Sequence, residues 1–396
     1  MKTVALFVDA YRELNSKKLF WITMMLSGLV VLIFAAVGLN ERGLVLLWFT
    51  LPMEGFNSET FPPALLYKLI FLNFGVKFWL TTIATILALI TTAGMIPDFI
   101  SGGSIELMLS KPVSRTRLYL TKFACGLIFV TLQVAVFAIA SLLVIGIRGG
   151  AREFGILLAI PIVVLFYSYL FSMCMLIGLV TKSTLAALLL TGLIWGGLTV
   201  LHWTDAMMLN IRVNSEQRVQ QMDERIETLE QELVTLKAAQ NGDAPEENQP
   251  DADAEPKGSI DRITQVFKPG RSDGRMGATE RASRIATAET EIENLTEQKQ
   301  STLKGVETLG LWHKGVYGVK TVLPKTGETL ALLERNLVTL DDLGQILDSQ
   351  NAREDPQLQA ELEYRKRPLW WIIGTSLAFE AFILAIGAWI FSRRDF

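Results

Sequence analysis

The chain has 396 residues, half of them hydrophobic and 19% charged, with a formal net charge of −3. Its apolar residues come in blocks rather than at the even spacing of a soluble core, which excludes an ordinary water-soluble globular protein and indicates an integral membrane protein. The near-neutral charge gives no reason to expect a nucleic-acid partner.

Six apolar runs each reach the ~20 residues that a helix needs to cross ~30 Å of hydrocarbon. They are Leu19 to Leu39, Val76 to Ile96, Leu118 to Ile147, Phe154 to Val180, Thr184 to Trp203 and Pro368 to Phe391. Leu44 to Leu51 reads as a short interfacial piece, and Leu65 to Phe74 as an extension of the second run. The first run, preceded by Lys17 and Lys18, is too long for a signal-peptide core and reads as an uncleaved anchor.

Lys2, Arg12, Lys17, Lys18, Lys111, Arg115, Arg117, Lys122, Lys182, Arg393 and Arg394 then fall on one side, against Arg42, Lys68, Arg148 and Arg152 on the other. The positive-inside rule makes both termini cytoplasmic. Arg365, Lys366 and Arg367 disagree, but they end a long segment, where charge is a poor guide to orientation.

That segment, 204–367, holds 30 acidic and 21 basic residues. Within it Val219, Met222, Ile226, Leu229, Leu233 and Leu236 recur at steps of three and four, as in a coiled coil. Residues 241–258, "NGDAPEENQPDADAEPKG", are acidic, rich in Pro and Ala and expected to be disordered. A second heptad run follows through Ile285, Ala288, Ile292 and Leu295. An intrachain hairpin, two surface helices on a small core and a parallel coil between subunits all fit this pattern. Residues 311–347 read as a cap on the membrane bundle.

The sequence contains no G-x-x-x-x-G-K-[ST] phosphate loop, so the chain is not expected to hydrolyse ATP by itself. H-E-x-x-H, G-x-S-x-G and C-x-x-C are also absent, which argues against an intramembrane protease or a redox protein and leaves an intramembrane enzyme as the weakest reading. His202 and His313 are the only histidines; His202, near Asp205 at the end of a span, suits a metal or proton role less well than that of an interfacial polar residue. Cys125 and Cys174 lie within spans and read as small buried hydrophobes. Glu380, at the middle of the last run, is a candidate for a translocation path, because a carboxylate at that depth faces the bundle interior or water, and equally fits a protonated acid hydrogen-bonded to a neighbouring helix. Gly192 and Gly196, and Gly374 and Ala378, have the small-x-x-x-small spacing of closely packed helices. Lys77 can extend its ammonium to the interface.

Between the second and third runs, Pro97 and Asp98 end a span and Ser101 to Ser104 offer a helix N-cap. Glu106 suits the positive end of that helix, Ile105, Leu107, Met108 and Leu109 give it an apolar side, and Pro112 stops it. A short helix lying on the cytoplasmic face would pass a push from a partner into two spans at once.

This stretch, "GGSIELMLSKPVSRTRLYLTKF", resembles the loop between the second and third spans of ABC transporter permeases of the type-2 exporter class. Gly103, Ser104, Ile105, Glu106, Leu109, Ser110, Pro112, Val113, Ser114, Arg115 and Lys122 fill the family pattern. The resemblance extends to the six-span layout, to "ALFVDAYRELNSKKLFW" before the first span and, more loosely, to "LLERNLVTLDDL" before the last. The segment between spans five and six departs from the compact family pattern.

The resemblance implies that residues 97–117, with Gly103, Ser104, Ile105, Glu106, Leu109, Ser110, Pro112, Arg115 and Arg117, form a coupling element docking on a separate nucleotide-binding ATPase subunit. ATP and Mg would then be held by that subunit and no cofactor by this chain, with two permeases, alike or different, in the working unit.

The expectation is therefore an all-α integral membrane protein of a bacterial inner membrane. Residues 1–203 form the amphipathic start and five spans, 204–367 an extracytoplasmic coiled-coil hairpin, and 368–396 the sixth span and tail. It is a transport subunit rather than an enzyme, set among membrane lipids, with an envelope partner for the coiled coil. The alternative is a membrane-anchored coiled-coil scaffold.

Overall fold

The computed structural model describes residues 18–46, 49–52, 62–101, 114–150, 153–241, 278–339 and 356–394. The chain divides into two compact units, Met1–Asn210 with His313–Phe396, and Ile211–Trp312.

Nine helices are described: α1 Lys18–Ala36, α2 Pro63–Ile100, α3 Arg115–Arg148, α4 Phe154–Thr181, α5 Thr184–Asn241, α6 Ala278–Val322, α7 Thr326–Leu337, α8 Pro356–Arg365 and α9 Trp370–Arg393. Six of them, α1 to α5 and α9, are long and apolar enough to cross a membrane. The number expected from the sequence is therefore met. The second helix starts at Pro63, thirteen residues before the expected Val76, so the apolar piece Leu65 to Phe74 does extend it.

The expected first span overran its helix, which ends at Ala36. Val37–Asn40 (β1), Gly43–Leu46 (β2) and Phe49–Pro52 (β3) form a three-stranded antiparallel meander with Val37 opposite Leu46 and Leu46 opposite Phe49. This is the one departure from an all-helical chain among the described residues. Branched and aromatic side chains favour the extended form. Asn40 makes the turn, its Oδ1 accepting from the Arg42 amide at 3.0 Å, and Gly43 (φ 133°) takes a backbone closed to other residues. Tyr67 ties the sheet to α2 by donating its hydroxyl to the Val37 carbonyl at 2.7 Å.

Helix ends follow local chemistry. Ser114 is extended and its Oγ accepts from the Arg117 amide at 3.4 Å, which starts α3. Lys182 closes α4 in the left-handed conformation (φ 56°), its amide donating to Gly178 O at 2.9 Å. Helix α2 carries a 14-residue π-helical stretch, Phe71–Ala84. In this register Thr81 and Thr85 donate their hydroxyls to the carbonyls five residues back, at 2.8 and 2.9 Å. Long π stretches are rare and occur at functional sites.

Between helices in lipid, apolar burial brings no hydrophobic gain, so close packing and hydrogen bonds carry association. The core of the first unit is accordingly aromatic and tightly fitted. Phe123 of α3 stacks on Phe171 of α4 at 5.5 Å, and a Cβ added at Gly126 would strike that Phe171 ring. Thr92 and Tyr167 share a hydroxyl hydrogen bond at 2.6 Å, and Trp79 Nε1 donates to Ser27 Oγ at 3.1 Å. Cys125 and Cys174 are both buried. Among the described residues, a Cβ at Gly192, Gly196 or Gly374 would meet nothing within 4 Å, so none of these glycines is in a close helix contact there.

In the second unit, Leu229 and Leu233 of α5 and Ala288 of α6 are buried, with Ile285, Ile292 and Leu295 packed on them. Ion pairs flank this seam at Arg225–Glu291 (3.0 Å), Lys237–Glu289 (2.7 Å) and Asp223–Lys299 (2.5 Å). The acidic stretch 242–258 lies outside the described residues, as does the N-terminal segment 1–17.

Candidate functional site

Four fully ionisable side chains and both histidines of the chain meet inside the first unit. Asp205 and His202 come from α5, one turn apart; Lys320 and His313 come from α6, two turns apart. Glu328 lies in the first turn of α7, and Arg367 sits in the link between α8 and α9. Lys320 Nζ donates to Asp205 Oδ2 at 2.7 Å and also to Glu328 Oε1. Arg367 Nη1 donates to the same two carboxylates, at 2.7 and 3.1 Å. His313 Nε2 lies 3.1 Å from Asp205 Oδ1. Asp205 is 0% exposed and Glu328 1%.

Burying charge is costly unless each is paired, and here two cations answer two carboxylates. Burial pushes the Glu328 carboxyl up, but the His202 imidazole and Lys320 ammonium beside it outweigh this and hold it down at about 2. Burial likewise opposes the Arg367 charge, and the Asp205 carboxylate outweighs it, keeping Arg367 above the ordinary arginine range. Lys325 Nζ donates to neutral acceptors, Thr375 Oγ1 at 2.5 Å and the Thr321 carbonyl at 3.1 Å; burial dominates and lowers it to about 8, despite the opposing pull of Glu328. Its ammonium rests 4.4 Å over the Trp371 ring. Tyr317 stacks on Trp371 at 4.6 Å, and the Arg367 guanidinium lies 4.5 Å over the Tyr364 ring, which completes an aromatic collar.

The cluster adjoins a cavity of about 370 Å³. Phe166, Trp195 and Leu330 give it an apolar wall, His202 and Tyr364 a polar one, and Thr81 and Thr82 of the π-helical stretch contribute to the rim. Its two carboxylates are already engaged, Glu334 with Lys77 at 2.9 Å and Glu361 with Arg365 at 3.0 Å. Lys77 thus has a specific partner rather than only an interfacial role. His202 and Tyr364 belong to both the cavity wall and the cluster. A Cβ at Gly327 would meet the His202 ring at 2.5 Å, so this glycine is what lets α7 approach the imidazole. Among the described residues no group of three or more His, Cys, Asp and Glu could hold a metal ion.

Glu380 is buried in α9, and Ser168 Oγ of α4 donates to its Oε2 at 2.9 Å. Of the residues expected from the sequence to form a coupling element, Gly103, Ser104, Ile105, Glu106, Leu109, Ser110 and Pro112 lie outside the described residues. Arg115 and Arg117 open α3. Arg115 Nη1 donates to the Arg394 carbonyl at 2.6 Å, and Arg394 in turn donates to the Leu179 carbonyl, so the start of α3 is tied to the ends of α9 and α4.

Sequence reasoning named His202 and Asp205 but missed Lys320, Glu328, Tyr364 and Arg367. The available signal was Arg367 itself, a cation directly before a span and out of line with the charge rule. No protein-family model, curated protein or solved structure matches the chain.

Proposed function

We propose that the chain is the membrane-spanning subunit of an ATP-driven transporter of the exporter type, in which two such subunits work with separate ATPase subunits. The observation that carries this reading is the stretch Ser101 to Lys122, with its permease-like pattern, set between the second and third of six apolar helices. The tie from Arg115 to the last residues of α9 supports it, because a push at this stretch would reach three helices together. Differential contact of the ATPase with two states of the bundle is what would drive transport. ATP and Mg belong to that partner in this reading, and the six mostly apolar spans suit a lipid-like or amphipathic cargo.

On the same reading the membrane is a bacterial inner membrane and both termini are cytoplasmic. Residues 211–312 lie outside it as an antiparallel coiled-coil hairpin that engages an envelope partner. The buried Leu229–Leu233–Ala288 seam and the crossing ion pairs support the hairpin, since 223 pairs with 299 while 237 pairs with 289.

The test is purification from native membrane of the wild type beside Glu106→Ala and Arg115→Ala, with the copurifying ATPase activity assayed. The reading expects a nucleotide-binding subunit with the wild type and weakened or uncoupled activity with the variants. Absence of any ATPase, with envelope proteins retained through the coiled coil, would replace it with the scaffold reading.

A further inference from the structure

The Lys320 ammonium has three hydrogens and faces three acceptors: Asp205 Oδ2 at 2.7 Å, Glu328 Oε1, and His202 Nδ1 at 3.4 Å. The Tyr364 hydroxyl also lies 3.4 Å from His202 Nδ1. The Lys320 ammonium can only donate, so a neutral His202 that bonds it through Nδ1 carries its hydrogen on Nε2. Glu328 Oε2 is buried without a hydrogen-bond partner among the described residues, and the same His202 Nδ1 stands 3.6 Å from it. The cluster thus holds a vacant acceptor next to a ring nitrogen that is occupied only as an acceptor. His202 is also the imidazole on the cavity wall, its side chain 23% exposed, so protons from water reach it without crossing the cluster.

We propose that His202 is the proton-binding site of this cluster. When neutral it accepts from Lys320 through Nδ1; on taking one proton from the cavity, it donates from Nδ1 to Glu328 Oε2. The exchange balances: one hydrogen ion enters, the imidazole becomes a cation, and Lys320 keeps its two carboxylates.

The groups facing His202 support this exchange. From α7 come Glu328, which draws the proton, and Glu334 on the cavity wall; from α8 come Tyr364 and Glu361. Lys320 of α6 opposes the charge, and Asp205 lies on the same helix as His202. Arg367 and Lys325 stand behind Glu328, and Lys77 of α2 is already held by Glu334. His313, whose Nε2 lies 3.1 Å from Asp205 Oδ1, differs from His202 in not lining the cavity. Proton binding therefore replaces an α5–α6 contact by an α5–α7 contact, which makes this junction responsive to pH. The inference rests on the cluster geometry and not on the transport reading.

The test is nitrogen NMR of the full chain in lipid nanodiscs with labelled histidine, the two signals being assigned through His313→Gln. It needs no partner subunit, so its failure is distinguishable from a failed search for an ATPase. The expected result, in a titration run from about pH 8 to about 5, is an imidazole hydrogen that starts on Nε2 and is joined by one on Nδ1, and a step displaced to lower pH in Glu328→Gln. Gly327→Ala, which drives a methyl into the ring, serves if Glu328→Gln does not fold; it is expected to change the ring-nitrogen shifts and the midpoint. A hydrogen on Nδ1 at high pH, no protonation in that range, or a midpoint indifferent to both substitutions would overturn the proposal.

Discussion

Lys320 Nζ and Asp205 Oδ2 stand 2.7 Å apart, and both side chains are almost wholly sealed from solvent, at 4% and 0% exposure. Lys320 is therefore a counter-charge more than a hydrogen-bond donor. Lys320→Met leaves Arg367 as the only full cation for two buried carboxylates. It is expected to cost about 3–5 kcal/mol of stability, and Lys320→Met with Asp205→Asn less than the sum of the two. Denaturant unfolding of the purified protein, followed by tryptophan fluorescence, gives both values; strict additivity would contradict a coupled cluster.

The depressed Glu328 carboxyl sets an acid limit. Its folded value of about 2 lies below the ordinary 4.5, so its contribution is complete above about pH 4.5 and drains away as pH falls toward 2. The melting temperature of the wild type should fall over that window. The curve of Glu328→Gln should start lower and run flatter through it.

Lys325 acts in the opposite direction. Its ammonium is disfavoured by burial, with a folded value of about 8 against 10.5, so between these values the unfolded chain binds more protons and stability rises with pH. The rise ends near pH 10, where unfolded tyrosines ionise while Tyr364, raised by burial, keeps its proton. Melting curves from pH 7.5 to 10 should show the increase in the wild type and lose it in Lys325→Met.

Helix contact in the spanning unit is tested at Gly126. A methyl there meets the Phe171 ring, and the stack of Phe171 on Phe123 leaves the ring little room to yield. Gly126→Ala is expected to cost about 1–3 kcal/mol, with part recovered by adding Phe171→Leu. Thermal aggregation in detergent reads both.

In the second unit the seam outweighs its fringe. Leu233→Asn buries an amide against Ile and Leu and is expected to cost about 2–4 kcal/mol, whereas Arg225→Ala, whose pair with Glu291 is half exposed, should cost less than about 1. Far-UV circular dichroism on heating ranks the two.

The six long helices were legible because hydrocarbon thickness imposes a length that few other constraints share. The sheet at residues 37–52 was not, since Val37 to Leu39 continue the apolar run of α1 and only backbone pairing separates them. In the candidate site, His202 and Asp205 were legible as a polar pair at a span end. Lys320, Glu328 and Arg367 were not, because each lies in an amphipathic or charged context where a solvated side chain is the ordinary outcome. Only the fold brings residues more than a hundred positions apart into one neutral cluster.

The chain leaves the spanning unit after Asn210 and re-enters it at His313, and the bond from His313 to Asp205 closes that gap at 3.1 Å. Ile211 and Trp312 therefore lie on two helices, α5 and α6, that the Asp205–His313 bond already holds together, so the first unit fixes the spacing at which the intervening segment starts and ends.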